Sequence, residues 1–331
     1  MLKPITILAL LLLAAAAGAD QAESSEGRPM LGFNVKGSLN TAEQVAMLRE
    51  ALRNRDNTEQ LVLRIQGGTR SQRDMPDAWT DEKIEAWASI QEEFGCTFVF
   101  VPNFNDTPES QYALFQRWRE AGVEYALVEL MNEPYLPKFR LAHDDPRNIR
   151  NNRFEVTPAT ELMTPAKYLG MAAEFARTFW AEGIPFAASL APEWDGRQGE
   201  LYAAWNDAVI EAINGRPNVH ATLHLYRRLP GQVDLDQIGR LKSRIGGKRL
   251  LVTEAGVLAP DDFSYEDFVE LETAFLSDII ERLDHGDMLL SQVLYSDYRR
   301  LFEPSFHPHW EGLSPKGEAL FDLFGFPEKP R

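Results

Sequence analysis

Two glutamates follow apolar, strand-like stretches at widely separated places in the chain. The stretch Leu127 to Tyr135 reads LVELMNEPY, and four of its first five residues are apolar, as in a strand that is buried on both faces. It stops at Asn132-Glu133-Pro134, and because proline has no N–H for a sheet, Glu133 falls at the carboxyl end of this strand. A second apolar run leads to Thr253-Glu254-Ala255-Gly256.

The position of these carboxyl groups suggests what they could do. A carboxyl group at the mouth of a buried sheet loses much of its hydration, which favours its protonated form and suits a proton donor near neutral pH. Hydrolysis of a glycosidic bond uses two carboxyl groups, one on either side of the bond. Glu133 and Glu254 therefore predict a glycosidase.

The elements that must position the two glutamates alternate between strand and helix eight times. The predicted strands are Met30–Val35, Gln60–Ile65, Thr97–Val101, the stretch from Leu127, Pro185–Leu190, Val219–Tyr226, Arg249–Thr253 and Met288–Leu294. The predicted helices are Thr41–Arg53, Thr80–Phe94, one opened by Thr107-Pro108, one from Thr164-Pro165 to Glu182, Leu201–Ile213, Leu235–Ile245, Tyr265–Leu283 and Pro315–Phe324. Because strands joined by crossover helices are parallel and eight of them close a barrel, this order predicts a single (β/α)8 TIM barrel of the α/β class.

The first residues have the pattern of a secretory signal peptide. Lys3 provides a positive charge, Ile7–Ala17 an apolar run too short to span a bilayer comfortably, and Ala17-Gly18-Ala19 a cleavage site. We therefore expect a signal peptide over residues 1–19, a mobile linker over 20–29 and the catalytic barrel over 30–331. A secreted or periplasmic location follows, without membrane insertion.

Composition and charge narrow the possible partners. The 331 residues are 44% hydrophobic and 25% charged, which is typical of a globular domain, and the net charge of −16 repels nucleic acid. The single Cys96 cannot form an internal disulfide, and its apolar surroundings predict a packing role. Of the six histidines only His220/His224 and His307/His309 are close in sequence, and neither pair has a third ligand nearby, so no metal or cofactor is predicted. We expect a monomer with a polysaccharide or oligosaccharide substrate.

Three short motifs occur in a definite strand order. They are Asn132-Glu133-Pro134 on strand 4, His224-x-Tyr226 on strand 6 and Thr253-Glu254-x-Gly256 on strand 7. Together they resemble the clan A glycoside hydrolases, retaining enzymes on a (β/α)8 barrel that include cellulases, mannanases and β-xylosidases. The resemblance implies that Glu133 is the acid/base and that Glu254 is the nucleophile of a double-displacement mechanism.

The same resemblance implies roles for the residues around the glutamates. Asn132 would bind the sugar 2-hydroxyl, Tyr226 would donate to Glu254, and His224 would line the cleft near Glu133. Arg64, at strand 2, would lower the pKa of Glu254 by its charge. Glu129 shares a strand face with Glu133 but lies deeper, which favours a buried ion pair with Arg64.

Further substrate contacts are predicted from the loops. Trp194 and Trp310 follow strands 5 and 8, where an indole can stack on a sugar ring or simply pack in the loop. Relatives often carry His at the end of strand 3 and Trp at the end of strand 8, whereas this chain has Asn103 and Tyr295 near those positions. The long segment 136–163 after strand 4 is expected to shape the cleft.

Two alternatives fit parts of the same pattern. A carbohydrate-binding barrel without turnover would keep the fold and the sugar contacts. A metal-dependent TIM-barrel enzyme would use the strand-end carboxylates as ligands, although such a site needs several groups that converge on one ion, and few His or Asp residues accompany the glutamates.

Overall fold

The computed structural model describes residues 28–34, 42–65, 71–72, 76–136, 163–193, 197–259, 263–291 and 313–329. Eight strands pair in chain order, each parallel to the next, and the last pairs with the first to close a barrel. They are β1 Met30–Asn34, β2 Leu61–Ile65, β3 Thr97–Phe100, β4 Tyr125–Leu130, β5 Phe186–Ser189, β6 Val219–Arg228, β7 Leu250–Leu258 and β8 Met288–Ser291. The prediction of a single (β/α)8 barrel is confirmed.

An α-helix follows every strand of the barrel. The helices are α1 Ala42–Arg53, α2 Asp81–Phe94, α3 Pro108–Glu120, α4 Pro165–Phe179, α5 Arg197–Ile213, α6 Asp236–Arg244, α7 Tyr265–Ile280 and α8 Pro315–Leu323. The hydroxyls of Thr107, Thr164 and Ser314 accept backbone N–H bonds at the starts of α3, α4 and α8, each followed by a proline whose fixed φ suits the first helical turn.

Apolar side chains fill the barrel from its amino-terminal end. The inner layer consists of Val62, Val99, Leu127, Ala187, Leu251, Met288 and Leu290. Two residues further along their strands, Arg64 follows Val62 and Glu129 follows Leu127 on the same inward face. The interior therefore changes from apolar to charged toward the carboxyl ends of the strands, where barrels of this type carry their chemistry.

The predicted ends of two strands were wrong. β6 continues to Arg228 and β7 to Leu258, since the pairing of the two strands runs on past Glu254, with Gly256 opposite Tyr226. A glycine inside a paired strand keeps its hydrogen bonds, so it does not end the strand here. The predicted residues 292–294 of strand 8 lie outside the described residues.

Other predictions concern residues away from the barrel interior. Cys96 is buried, and burial raises the pKa of its thiol to about 12, so the predicted packing role is confirmed. The predicted signal peptide and the linker up to residue 27 lie outside the described residues. In the part of the chain that the structure describes, none of the helices has the length and apolarity to cross a bilayer.

Candidate active site

Arg64, on β2, bonds to residues of three other strands through its fully buried guanidinium group. It donates to both carboxylate oxygens of Glu129 at 2.6 and 2.7 Å, and to Oε1 of Glu254 at 2.6 Å. Its remaining bonds go to the side-chain oxygens of Asn34, at 2.7 Å, and Asn132, at 2.9 Å. The predicted ion pair of Arg64 with Glu129 is present, and the same cation also holds Glu254.

A β-bulge in β7 turns Glu254 toward the barrel interior. The pairing of β6 with β7 shifts by one residue just before His224, which lies opposite Glu254, so Thr253 is the extra residue. The Thr253 hydroxyl contacts the hydroxyl of Thr222 and lies 3.1 Å from Nε2 of His224. Because Glu254 reaches Arg64 inside the barrel, two consecutive side chains face inward, which a regular strand does not allow.

β4 ends at Leu130, before the predicted Asn132 and Glu133, and the segment that follows it has an uncommon backbone conformation. Met131 has φ of 75° and Glu133 has φ of 44°, values that residues with a side chain rarely adopt. Between them, Asn132 directs its side chain to Arg64, and Glu133 brings Oε1 to 3.4 Å from Nδ1 of His224. Such strain persists only where surrounding contacts hold it, and it concentrates at functional sites.

Glu133 and Glu254 face each other across His224. Nδ1 of His224 lies 3.4 Å from Oε1 of Glu133 and 3.7 Å from Oε2 of Glu254. These two oxygens are therefore at most 7.1 Å apart, the sum of their distances to the shared nitrogen. The limit includes the separation of about 5–5.5 Å that is typical of retaining glycosidases.

Glu254 is surrounded by groups that favour its ionised form. Burial by itself raises the pKa of this carboxyl, but the charges of His224 and Arg64 and the Tyr226 hydroxyl lower it below the ordinary value. The Tyr226 hydroxyl donates to Oε2, and Arg64 donates to Oε1. Glu254 is thus an oriented carboxylate with a donor on each oxygen.

His224 is buried among three carboxyl groups, those of Glu129, Glu133 and Glu254. Burial lowers its pKa, but the charge of Glu254 and the contacts with Glu129 and Glu133 outweigh this and raise the pKa to about 9. Glu129 has a pKa of about 2, because the charges of Arg64 and His224 overcome the effect of burial. Within the described ranges, no three His, Cys, Asp or Glu side chains are arranged to hold a metal ion.

Asn132 offers a hydrogen-bond donor that no described residue uses. Its side-chain oxygen accepts from Arg64, which fixes which end of the amide is the oxygen and which is Nδ2. Nδ2 is buried, and among the described residues it has no hydrogen-bond partner. A buried donor of this kind costs free energy unless a ligand or water completes it.

The structure brings together six of the predicted site residues: Glu133, Glu254, Asn132, His224, Tyr226 and Arg64. Asn103 is buried in the loop between β3 and α3, where its side-chain oxygen accepts from the backbone N–H of Asn105 at 2.9 Å. Trp194, Tyr295 and Trp310 lie outside the described residues, as does segment 137–162.

Sequence reasoning missed three contributors to the site. Asn34 ends β1 with a polar residue after an apolar run, a signal comparable to that of Arg64. Thr253 was recognised only as part of a motif, and Gln72, whose amide Nε2 donates to the carbonyl oxygen of Asn132 at 3.1 Å, carries no local signal.

A groove on the outside of the barrel does not coincide with this cluster. It encloses about 630 Å³ between α7 and α8, and its mostly apolar lining includes Tyr265, Val269 and Pro315. None of the charged cluster around Arg64 contributes to it. The charged cluster inside the barrel and this outer groove are therefore separate features.

Comparisons with known proteins show the fold. No protein-family model and no curated protein match the chain. An endo-β-1,3-glucanase of glycoside hydrolase family 128, subgroup II, from Sorangium cellulosum matches 91% of this chain and 100% of its own, with a TM-score of 0.52 at 13% identity. Xylanase 10B from Thermotoga petrophila, in complex with xylobiose, matches 89% of this chain and 93% of its own, with a TM-score of 0.50 at 13% identity. Xylanase 10B from Thermotoga maritima matches 89% of this chain and 94% of its own, also with a TM-score of 0.50 at 13% identity. The chain is a (β/α)8 barrel with glycoside hydrolases among its structural neighbours.

Proposed function

We propose that this protein is a retaining glycoside hydrolase that cleaves β-glycosidic bonds of a polysaccharide or oligosaccharide without a cofactor. The observation that carries the proposal is the pair Glu133 and Glu254, because Oε1 of Glu133 and Oε2 of Glu254 are at most 7.1 Å apart. Their surroundings differ, because Glu254 has donors on both oxygens and a lowered pKa. Two carboxyl groups with different surroundings suit an acid/base and a nucleophile.

In the first step Glu254 attacks the anomeric carbon as a carboxylate. The bond from that carbon to the glycosidic oxygen breaks, and Glu133 gives its proton to the departing oxygen. A glycosyl ester of Glu254 and a free alcohol result. Arg64 and Tyr226 hold the nucleophile oriented by their hydrogen bonds to its two oxygens.

In the second step Glu133 acts as a base. It takes a proton from a water molecule whose oxygen attacks the anomeric carbon, and the bond to Glu254 breaks to restore the carboxylate. Nδ2 of Asn132 is suited to donate to the hydroxyl next to the anomeric carbon, a contact that strengthens in the transition state.

The remaining contacts belong to the same proposal. Trp194 and Trp310 would stack on sugar rings, and Asn103 and Tyr295 would line the cleft. We further propose that the protein is secreted or periplasmic and acts as a monomer.

The test is an activity panel with covalent trapping. The protein that begins at residue 20 is assayed on β-linked polysaccharides and aryl β-glycosides, and it is then incubated with an activated 2-deoxy-2-fluoro glycoside of the sugar it accepts. The expected result is turnover, followed by a mass increase on the peptide that contains Glu254.

The alternatives give different results in this test. Binding of polysaccharide without turnover or trapping would favour the carbohydrate-binding barrel. Turnover that is lost in EDTA and restored by a divalent metal would favour a metal-dependent enzyme.

A further inference from the structure

The strained backbone at Glu133 is held by hydrogen bonds to its carbonyl groups. Four carbonyl oxygens in the segment 129–133 accept a bond: Glu129 from Met131 N–H at 3.0 Å, Leu130 from the Tyr168 hydroxyl at 2.9 Å, Asn132 from Gln72 Nε2 at 3.1 Å and Glu133 from Leu136 N–H at 3.0 Å. Two of the donors, the N–H groups of Met131 and Leu136, belong to this segment or to the residues directly after it. The Tyr168 and Gln72 side chains come from elsewhere in the chain, and the Gln72 bond is made to the peptide group that joins Asn132 to Glu133.

This bond acts directly on the dihedral angle that orients Glu133. The carbonyl of Asn132 and the N–H of Glu133 lie in one planar peptide group, so a group that holds the oxygen also holds the orientation about the N–Cα bond of Glu133. That dihedral angle is φ, which is 44° here. A left-handed conformation at a residue other than glycine is strained and persists only where neighbouring groups impose it.

Gln72 is itself fixed in the loop between β2 and α2. Its side chain is fully buried. Its backbone carbonyl oxygen accepts from Nδ2 of Asn105 at 2.9 Å. The amide must direct Nε2 toward Asn132, because its oxygen would repel the carbonyl. Its Oε1 is then buried without a hydrogen-bond partner among the described residues. An apolar residue of similar size would avoid that cost, so packing alone does not account for an amide at this position.

We propose that Gln72 is a positioning residue for Glu133. It acts through the carbonyl oxygen of Asn132 and does not touch the substrate. This inference rests on the proposed function, because it concerns the proton that Glu133 gives to the leaving group. Without the Nε2 bond, φ of Glu133 relaxes toward the common negative range and moves the carboxyl away from His224 and the scissile bond.

The dependence on the leaving group tests this role. A leaving group that is stable as an anion departs without a proton, whereas a poor one needs the proton from Glu133. Gln72→Met keeps the volume of the side chain and removes the donor. We expect a fall in kcat/KM on the order of 10²-fold on a 4-methoxyphenyl β-glycoside of the accepted sugar, because a small displacement of a catalytic group costs about that much. On the 2,4-dinitrophenyl glycoside of the same sugar we expect a fall of about threefold or less, since that group leaves without acid assistance.

Gln237→Met is the matched control. Gln237 is similarly buried, but its amide accepts from the N–H of Glu193 and donates to the backbone carbonyl of Asp234. Any loss in this variant should be the same on both glycosides. Gln72→Ala repeats the test with a smaller side chain, and thermal unfolding of all variants confirms that they are folded.

The possible outcomes separate the inference from the proposed function. A leaving-group-dependent loss in the Gln72 variants supports the positioning role. Equal losses on the two glycosides, or no loss, would overturn it while the glycosidase proposal stands. If the unaltered protein turned over no glycoside in the panel, the proposed function itself would fail, and the role of Gln72 with it.

Discussion

At the scale of single residues, the two glutamates differ in their immediate contacts. Glu254 has the Arg64 guanidinium on one oxygen and the Tyr226 hydroxyl on the other. Glu133 lies next to the His224 ring and retains the larger exposed fraction, 8% against 3%. The two residues should therefore respond differently to the same substitution.

Replacing each glutamate by glutamine tests these roles. Glu254→Gln removes the nucleophile, and we expect a loss of turnover of at least about 10⁴-fold on every substrate. Glu133→Gln should lose about 10²–10⁴-fold in kcat/KM on a substrate with a poor leaving group and much less in kcat/KM on a 2,4-dinitrophenyl glycoside, because this constant reports the first step, in which that group leaves without a proton. Steady-state kinetics on both substrates check this. Equal and complete loss of both variants on the activated substrate would contradict the assignment.

His224 should make the stability of the protein depend on pH. Its pKa is about 9 in the folded state and near 6.5 when unfolded, so its charged form stabilises the fold. This contribution is fully present below pH 6.5 and is lost as the pH rises through 9. At 1.36 kcal/mol per pKa unit it is on the order of 3 kcal/mol. Urea unfolding between pH 6 and 10 should show that the free energy of unfolding falls more steeply with pH for the wild type than for His224→Gln.

His220 provides the control for this pH dependence. Burial, with the charges of Arg249 and Lys248, lowers its pKa to about 4. A lowered histidine pKa destabilises the fold only as the pH falls below 6.5, so His220→Gln should follow the wild type between pH 6.5 and 9. If the free energies of unfolding of the wild type and His224→Gln changed in parallel with pH in that interval, His224 would not carry a charge in the folded protein.

At the scale of elements, the irregular parts of two strands position the site. The bulge at Thr253 turns Glu254 inward, and Met131 and Glu133, in left-handed conformations, form a turn directly after β4. Beneath that turn, the Tyr168 hydroxyl on α4 accepts from the N–H of Ser189 at 2.8 Å and donates to the carbonyl of Leu130 at 2.9 Å. It thereby connects β4 with β5.

Removal of this hydroxyl should weaken the fold. Tyr168→Phe leaves two buried backbone groups without their partner, and we expect the free energy of unfolding to fall by about 1–3 kcal/mol. Tyr125→Phe is the control, because the Tyr125 hydroxyl is buried without a hydrogen-bond partner among the described residues. Its removal should be neutral or slightly stabilising. Urea unfolding of both variants measures the difference, and equal losses would contradict the bridging role.

At the scale of the whole molecule, α8 packs on α7 through a buried ion pair. Nζ of Lys316 lies 3.1 Å from Oε2 of Glu272, and both side chains are at most 2% exposed. The ammonium group also lies 5.3 Å from the centre of the Phe268 ring. This contact holds the last helix of the barrel against its neighbour.

A double-mutant cycle tests that contact. Lys316→Met leaves the buried Glu272 charge without this ammonium group, and we expect a loss of about 3–5 kcal/mol in the free energy of unfolding. The double variant Lys316→Met/Glu272→Met removes both charges and should lose less than the single variant, because no isolated charge stays buried. If the losses of the single variants Lys316→Met and Glu272→Met added up to that of the double variant in urea unfolding, the two charges would not be coupled.

The sequence by itself determined the architecture and most of the candidate chemistry. Apolar strands alternate with amphipathic helices eight times, and this local pattern is enough to predict the barrel. The polar residues near the carboxyl ends of the apolar runs of strands 2, 4, 6 and 7 identify Arg64, Glu133, His224 and Glu254, because the carboxyl ends of parallel strands meet at one rim. Strand ends were predicted less well, since pairing with a neighbour carried β6 and β7 beyond the local signals.

Only the tertiary structure decided how these groups act on one another. Arg64 and Glu254 are 190 residues apart in the chain and 2.6 Å apart in space, and the charge of His224 depends on three carboxylates from two other strands. The bulge at Thr253 depends on the register of a neighbouring strand, and the link from Gln72 to Asn132 joins two loops. Charge interactions and hydrogen bonds depend on distance in space, which a local sequence pattern does not contain.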